Sequence, residues 1–261
     1  MNWKATYYCA KGTWHGKHNI PCQDYANYHC FDKVILGAVA DGAGSAKYAD
    51  IGAKLAVDNI LEYLKQSQQK FSEKSVFNYY SFNEKEAKQL FYDGIQQTVI
   101  PALKKKAQEK QCSINEFACT LIAFIATPNW ITAMQIGDGF LVLSLNNKKD
   151  YQLLLKPDKG EFINETKFVT SKKVLSTFNF KFLSGTPKFI CASTDGLEKV
   201  AILLSNLTPH APFFEPLEIY LKQTKNPESN TKYLEQFLNS ERLNSRTNDD
   251  KTLLLCLNNS V

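Results

Sequence analysis

At 261 residues, 44% of them apolar, the chain can bury a sizeable core, as one large unit or two small ones. Its formal charge of +5 is mild and its only arginines are Arg242 and Arg246, poor equipment for reading bases or clamping a nucleic-acid backbone. No stretch approaches the ~18 uncharged apolar residues of a membrane span, and seven scattered cysteines give neither a disulfide framework nor a paired zinc spacing, so a reducing cytoplasm away from membranes is the expected setting.

Met1 to Tyr7 carries no signal-peptide pattern, and Trp3 to Lys11 alternates enough for a first strand. Gly12 to Asp24 reads as an irregular polar loop ending in an acid, and Tyr25 to Cys30 as a second short strand. Lys33 to Ala40 is an unbroken apolar run of strand length, the pattern of a strand buried on both faces. It stops at Asp41 and breaks into Gly42-Ala43-Gly44. Ala53, Ala56, Val57, Ile60, Leu61 and Leu64 then fall at helical spacing, in a helix beginning near Tyr48 or Asp50. Lys65 to Tyr80 reads as a polar linker. Asn83 with Glu86 resembles a capping box for a second amphipathic helix, which Pro101 should kink or restart.

Three strands are predicted over 118–126, 130–136 and 140–145, the last two joined by Gly137-Asp138-Gly139 in what reads as a hairpin turn. Residues 156–185 suit a flap beside a site better than a core element. Further along come a strand over 188–193, a short helix over 197–204, helices containing 217–221 and 233–238, and a closing strand over 253–257. Strands arrive in antiparallel-looking hairpins and helices in separate blocks, which gives an α+β class and one domain spanning 1–261.

The chemistry lies in a repeated pattern. An apolar strand followed by an acid and glycine occurs at Asp41-Gly42, Asp138-Gly139 and Asp195-Gly196, and Asp249-Asp250 opens the last apolar run. A single Asp-Gly is an ordinary turn. Four carboxylate sites at strand ends, far apart in sequence, are what a multi-metal centre on a sheet requires. Carboxylate oxygens are hard ligands suited to Mg²⁺ or Mn²⁺, and two such ions ~3.5–4 Å apart can activate a water and clamp a phosphoryl group. Rival hydrolytic designs are missing. No cysteine is followed six residues later by an arginine, and neither a Gly-x-x-x-x-Gly-Lys-Ser/Thr cradle nor a Gly-x-Ser-x-Gly elbow occurs.

Gln23-Asp24, Asp41-Gly42-Ala43-Gly44, Cys119-Thr120, Ile136-Gly137-Asp138, Ser193-Thr194-Asp195-Gly196 and Asp249-Asp250-Lys251-Thr252, in that order, resemble the metal-dependent serine/threonine protein phosphatases of type 2C. Gly12-Thr13-Trp14-His15, Pro21-Cys22-Gln23-Asp24 and Asn164-Glu165-Thr166 are similar to a compact bacterial branch. The likeness spans about residues 5 to 258. It implies a four-layer α-β-β-α sandwich, two antiparallel sheets flanked by helices, with two Mn²⁺ or Mg²⁺ ions in a cleft at one edge and a third held more weakly. By that resemblance Asp41 bridges two ions and the Gly42 carbonyl serves one. Asp195 and Asp249 hold the other, Asp24 acts through waters, and Asp138 with Asp195 supports the third. Asp250 is the alternative to Asp249; the family's ending places the first acid of the pair at the metal.

The chain also departs from the pattern. Ala43 stands where the family has histidine, and the arginine that grips substrate phosphate shortly before Gln23-Asp24 is absent. His15, which matches the bacterial Gly-x-x-His, is the first candidate for that contact. The expected activity is hydrolysis of phosphoserine or phosphothreonine in proteins, opposing a bacterial kinase. The alternative is a non-catalytic module that keeps the fold and binds a partner through the flap.

Overall fold

The computed structural model describes residues 3–31, 33–73, 83–146, 148, 150–158, 166–227, 229 and 231–259. Strand β1 (Trp3–Ala10) leads into a short helix α1 (Thr13–Lys17), where a loop was expected. Strands β2 (Asp24–Phe31) and β3 (Val34–Asp41) pair antiparallel along their whole length, with Asp24 directly opposite Asp41. All of β3 except Asp41 is buried, as the unbroken apolar run requires of a strand covered on both faces.

Helix α2 (Ala49–Glu73) lays Val57, Ile60, Leu61 and Leu64 on the sheet, each at most 2% exposed. Burial of such side chains contributes roughly 1.5–3 kcal/mol apiece. The helix runs past Lys65 to Glu73, so the linker expected from Lys65 begins too early. Its last turns are polar, but Lys, Gln and Glu are good helix formers, and Glu62 meets Gln66 at 3.0 Å and Lys65 at 3.7 Å. Residues 74–80 of that expected linker lie outside the described residues.

Helix α3 (Glu84–Gly94) starts at the expected capping box, with Asn83 and Glu86 each accepting the other's backbone N–H. A π-helical stretch (Ile95–Val99) follows and gives way to α4 (Ile100–Glu109). Pro101 offers no N–H to the helical ladder, so the backbone re-registers just before it, the expected restart.

After a 3₁₀ turn (Ile114–Phe117) come β4 (Leu121–Ala126), β5 (Trp130–Ile136), β6 (Phe140–Leu145) and β7 (Gln152–Leu155). Helix α5 (Val174–Thr177) and strands β8 (Asn179–Ser184) and β9 (Pro187–Ser193) follow. A 3₁₀ turn (Asp195–Leu197) and α6 (Glu198–Ala201) lead to the two-residue pair β10 (Ile202–Leu203) and β11 (Thr208–Pro209). The helix expected over 197–204 thus ends at Ala201. Helices α7 (Ala211–Gln223), α8 (Lys232–Leu238) and α9 (Glu241–Asn244) precede the closing strand β12 (Lys251–Asn258).

Two five-stranded antiparallel sheets result, in the orders β1-β12-β9-β6-β7 and β2-β3-β4-β5-β8. Their facing sides share one core that includes Ile35, Val39, Phe124, Leu141, Ile190 and Leu254. Helices α2 to α4 cover the outside of the β3 sheet, and α6 to α9 that of the β12 sheet. The α+β sandwich is therefore the expected one.

Two local expectations are corrected. β5 and β6 belong to different sheets, so Gly137-Asp138-Gly139 is not a hairpin turn but the crossing from one sheet to the other. Gly137 takes φ +98°, open to glycine and strained for other residues. The supposed flap supplies core: β8 pairs with β5, and Val169, Val174 and Phe178 are buried. Its patterning is weak because β8 is an edge strand with no fully buried residue, Phe180 and Phe182 being half-buried. Residues 159–165, the middle of that stretch with Asn164 and Glu165, lie outside the described residues.

Candidate active site

Both sheets deliver acids to one edge. Asp24 starts β2 and Asp41 ends β3, so antiparallel register places them side by side. On the other sheet, Asp195 follows β9 and Asp249 precedes β12, strands that are themselves paired. Thr194 closes the seam between the sheets by donating its hydroxyl to Asp24 Oδ2 at 2.8 Å. Asp41 is fixed through its backbone: its N–H donates to Thr120 Oγ1 at 2.9 Å and its carbonyl accepts from Thr120 N–H at 2.8 Å. The Cys119-Thr120 pair noted in the sequence thus works as a splint for Asp41. Gly42 N–H donates to the Gln23 carbonyl at 3.1 Å, tying the turn after β3 to the start of β2.

Like charges so close disfavour ionisation. Burial raises the Asp41 carboxyl well above the usual range, and the neighbouring Asp24, Asp195 and Asp249 push it further. Asp24 is pushed up to about 8, first by burial and then by Asp250. Such a set of hard oxygen donors, strained by its own charge, fits divalent cations such as Mg²⁺ or Mn²⁺. Among the described residues no three His, Cys, Asp or Glu side chains draw together tightly enough to cage an ion unaided. A cation here would complete its shell with water, as Mg²⁺ habitually does. Asp138 lies half-buried at the crossing between sheets and accepts the Thr166 hydroxyl at 3.0 Å.

The adjacent acids Asp249 and Asp250 have opposite surroundings. Asp249 is exposed. Asp250 is 2% exposed; its Oδ1 accepts from Gly12 N–H at 2.6 Å and from His15 Nδ1 at 2.8 Å, and its Oδ2 from Gln23 N–H at 2.6 Å. This one carboxylate therefore clamps the α1 loop and the entry to β2 onto the start of β12. Glycine at position 12 permits the clamp, because a side chain there would run into the backbone of Asn248 and Asp249. His15 is 6% exposed and faces inward. With Nδ1–H committed to a carboxylate, its other nitrogen can donate to phosphate only as the imidazolium.

Lys251 is the residue that sequence reasoning passed over. It is fully buried, and its Nζ donates to Asn244 Oδ1 at 3.0 Å and reaches the Asp249 carbonyl at 3.5 Å. Burial pushes its ammonium below the ordinary lysine value, while Asp250 and Asp249 pull the other way. A fixed cation thus stands behind the acids. A lysine opening an otherwise apolar strand was the available signal.

An edge of gathered acids suits divalent cations, and cations so placed suit phosphate oxygens. The class that this fold and edge define together is a metal-dependent phosphatase. Residues 11–239 match the family profile described as protein phosphatase 2C. The chain is 31% identical over 264 residues to serine/threonine-protein phosphatase 3 of Escherichia coli (strain K12), covering 98% of this chain and 99% of that protein. In three dimensions it is similar to the serine/threonine phosphatase Stp1 of Staphylococcus aureus, with a TM-score of 0.62 at 13% identity over 98% of this chain and 95% of that one. RsbX in complex with magnesium gives a TM-score of 0.51 at 16% identity, over 98% and 94% of the two chains. The chain belongs to the protein phosphatase 2C family and is a serine/threonine protein phosphatase. That family is metal-dependent. Among the described residues no helix is long and apolar enough to cross a membrane.

Proposed function

We propose that the acidic edge is the catalytic centre and hydrolyses phosphoserine and phosphothreonine in proteins with two Mn²⁺ or Mg²⁺ ions. The observation that carries this reading is the cross-strand pairing of Asp24 with Asp41, inside the field of Asp195 and Asp249. Like charges directly opposite one another destabilise a sheet, and a divalent cation held between them would offset that cost. The magnesium held by RsbX supports the same choice. When bound, the ions would supply a water of lowered pKa and a clamp on the phosphoryl oxygens.

Within that reading Asp41, splinted by Thr120, would hold the ions, with the Gly42 carbonyl as a further ligand. Asp195 and Asp249 bring in the second sheet. Asp24, held by the Thr194 hydroxyl, acts through water. Asp249 is preferred over Asp250 because both oxygens of Asp250 are taken up by the clamp. Asp138, with the Thr166 hydroxyl on it, would help Asp195 hold a third, weaker ion. His15, oriented by Asp250, contacts the substrate phosphate through Nε2. The partner is a phosphoprotein made by a serine/threonine kinase.

The test is turnover of p-nitrophenyl phosphate and of a phosphothreonine peptide, with Mn²⁺ and with a chelator. Activity is expected only with the ion. Asp41→Asn should lower kcat/KM by on the order of 10³-fold, since an amide cannot bridge two cations. Its melting temperature in chelator should hold or rise, because one repelling charge is gone. Near-normal turnover by that variant would remove Asp41 from the centre.

A further inference from the structure

The chain's only two arginines share one hollow on the outer face of the β12 sheet's helical layer. The hollow measures about 480 Å³, within the range of ligand pockets. It lies among α6, the β10–β11 turn, α7, α8 and α9. Phe213 and Phe237 give it an apolar lining, and Leu203 beside them is 43% exposed. Lys199, Arg242 and Arg246 line it too, together with His210, and no aspartate or glutamate does. Among the described residues no carboxylate forms an ion pair with Lys199 or either arginine. A concave apolar surface ringed by unneutralised cations is complementary to a segment that carries both carboxylates and an apolar side chain. Arginine in particular matches carboxylate geometry with two parallel N–H donors.

Its position ties the hollow to the acidic edge. Arg246 precedes Asp249 by three residues and Lys199 follows Asp195 by four. Fully extended chain spans at most ~3.6 Å per residue, so the backbone at Arg246 lies within about 11 Å of that at Asp249, and the backbone at Lys199 within about 14 Å of that at Asp195. A substrate strand rising ~3.3 Å per residue covers that distance in about three to five residues.

We propose that this hollow docks the acidic flank of the phosphoprotein substrate, a segment with carboxylates set around one large apolar side chain and lying about three to five residues from the phosphorylated one. The proposal rests on the phosphatase reading of the acidic edge. It gives that site a substrate preference which the metal-binding acids cannot supply, since they see only the phosphate.

The experiment compares wild type with Arg242→Glu/Arg246→Glu in Mn²⁺ on three substrates: p-nitrophenyl phosphate, a phosphothreonine peptide flanked by Asp, Glu and Leu on either side, and its Ser/Ala-flanked counterpart. Both arginines are exposed, so the reversal leaves the core alone. Wild type is expected to favour the acidic peptide, and the variant to lose about tenfold in kcat/KM on it, through KM, with the other two substrates unchanged. The preference should fade as salt rises. Equal use of both peptides by wild type, or an equal loss on all three substrates, overturns the proposal. Fluorescence anisotropy of the labelled acidic peptide without phosphate reads docking apart from turnover. Binding by wild type that the variant loses is expected, and equal binding by both overturns docking even if the chemistry is intact. Absence of Mn²⁺-dependent p-nitrophenyl phosphate turnover in wild type would instead refute the phosphatase reading, whatever the peptide does.

Discussion

Replacing Asp250 should cost more stability than replacing any of the acids at the edge. Its carboxylate accepts two backbone N–H groups at 2.6 Å, from Gly12 and Gln23, and the His15 ring at 2.8 Å. Asp250→Ala leaves the Gly12 and Gln23 donors buried without a partner, at about 1–3 kcal/mol each, and releases His15. The two donors sum to about 2–6 kcal/mol, a large part of the roughly 5–15 kcal/mol that holds an ordinary domain folded. Asp250→Asn keeps one acceptor oxygen and should lose about half as much. The sequence neighbours of the clamp are Asp249 and, through Gln23, Asp24, so the folded fraction of either variant should also need more Mn²⁺ for half-maximal turnover. Equilibrium urea unfolding in chelator measures the first effect without contribution from metal binding. Mn²⁺ titration of p-nitrophenyl phosphate turnover measures the second. An Asp250→Ala protein within about 1 kcal/mol of wild type would refute the clamp, because two orphaned buried N–H groups cannot cost so little.

Other substitutions probe neighbouring features. Lys251→Met removes the buried cation behind the acids, so it should lower the melting temperature in chelator and much less in Mn²⁺, where the ion takes over the charge balance; equal shifts in both would show that Lys251 is packing alone. His15→Ala should weaken inhibition by inorganic phosphate severalfold without changing the metal requirement, and an unchanged inhibition constant at pH 6 would leave His15 to the clamp. Glu218 is buried in α7, which by itself would raise its carboxyl, but Lys222 at 2.7 Å, Lys188 at 2.9 Å and the Tyr151 hydroxyl at 2.8 Å outweigh burial and hold it below the usual value. A depressed carboxyl stabilises above its unfolded pKa and loses that contribution as pH falls through the folded one. Glu218→Gln should therefore cost about 1–3 kcal/mol near pH 7, with the gap to wild type closing below about pH 4.5. A gap that does not depend on pH would contradict the sign.

Much of the frame was legible because it is written locally. An apolar run ending in Asp-Gly states a buried strand and its exit within a dozen residues. For that reason β3, β5 and β9 fall where the pattern put them, with ends at Asp41, Ile136 and Ser193. The capping box at Asn83 and the restart at Pro101 are equally local: one depends on a side chain three residues away, the other on a missing N–H. Errors came where local pattern and packing part company. Gly137-Asp138-Gly139 has the composition of a hairpin turn, and nothing within it says that its flanking strands join different sheets. β8 reads as irregular because an edge strand need bury only one side, and the far end of α2 reads as linker because a polar helix and a polar loop share a composition.

What the sequence by itself determined is which acids stand at strand exits and in what order, enough to state the class of chemistry. Only the tertiary structure decided what surrounds each of them. Asp249 and Asp250 are neighbours of the same type, and they are told apart by Gly12 and Gln23, more than 200 residues distant, whose N–H groups claim Asp250 and leave its neighbour facing solvent. The cross-strand meeting of Asp24 with Asp41, the cation of Lys251 behind them and the gathering of Arg242 and Arg246 with Lys199 around one hollow have the same origin. Charges act through space, and spacing along a chain fixes distance only within one strand or helix. Where separate elements meet, the packing of the whole sandwich sets which charges face each other.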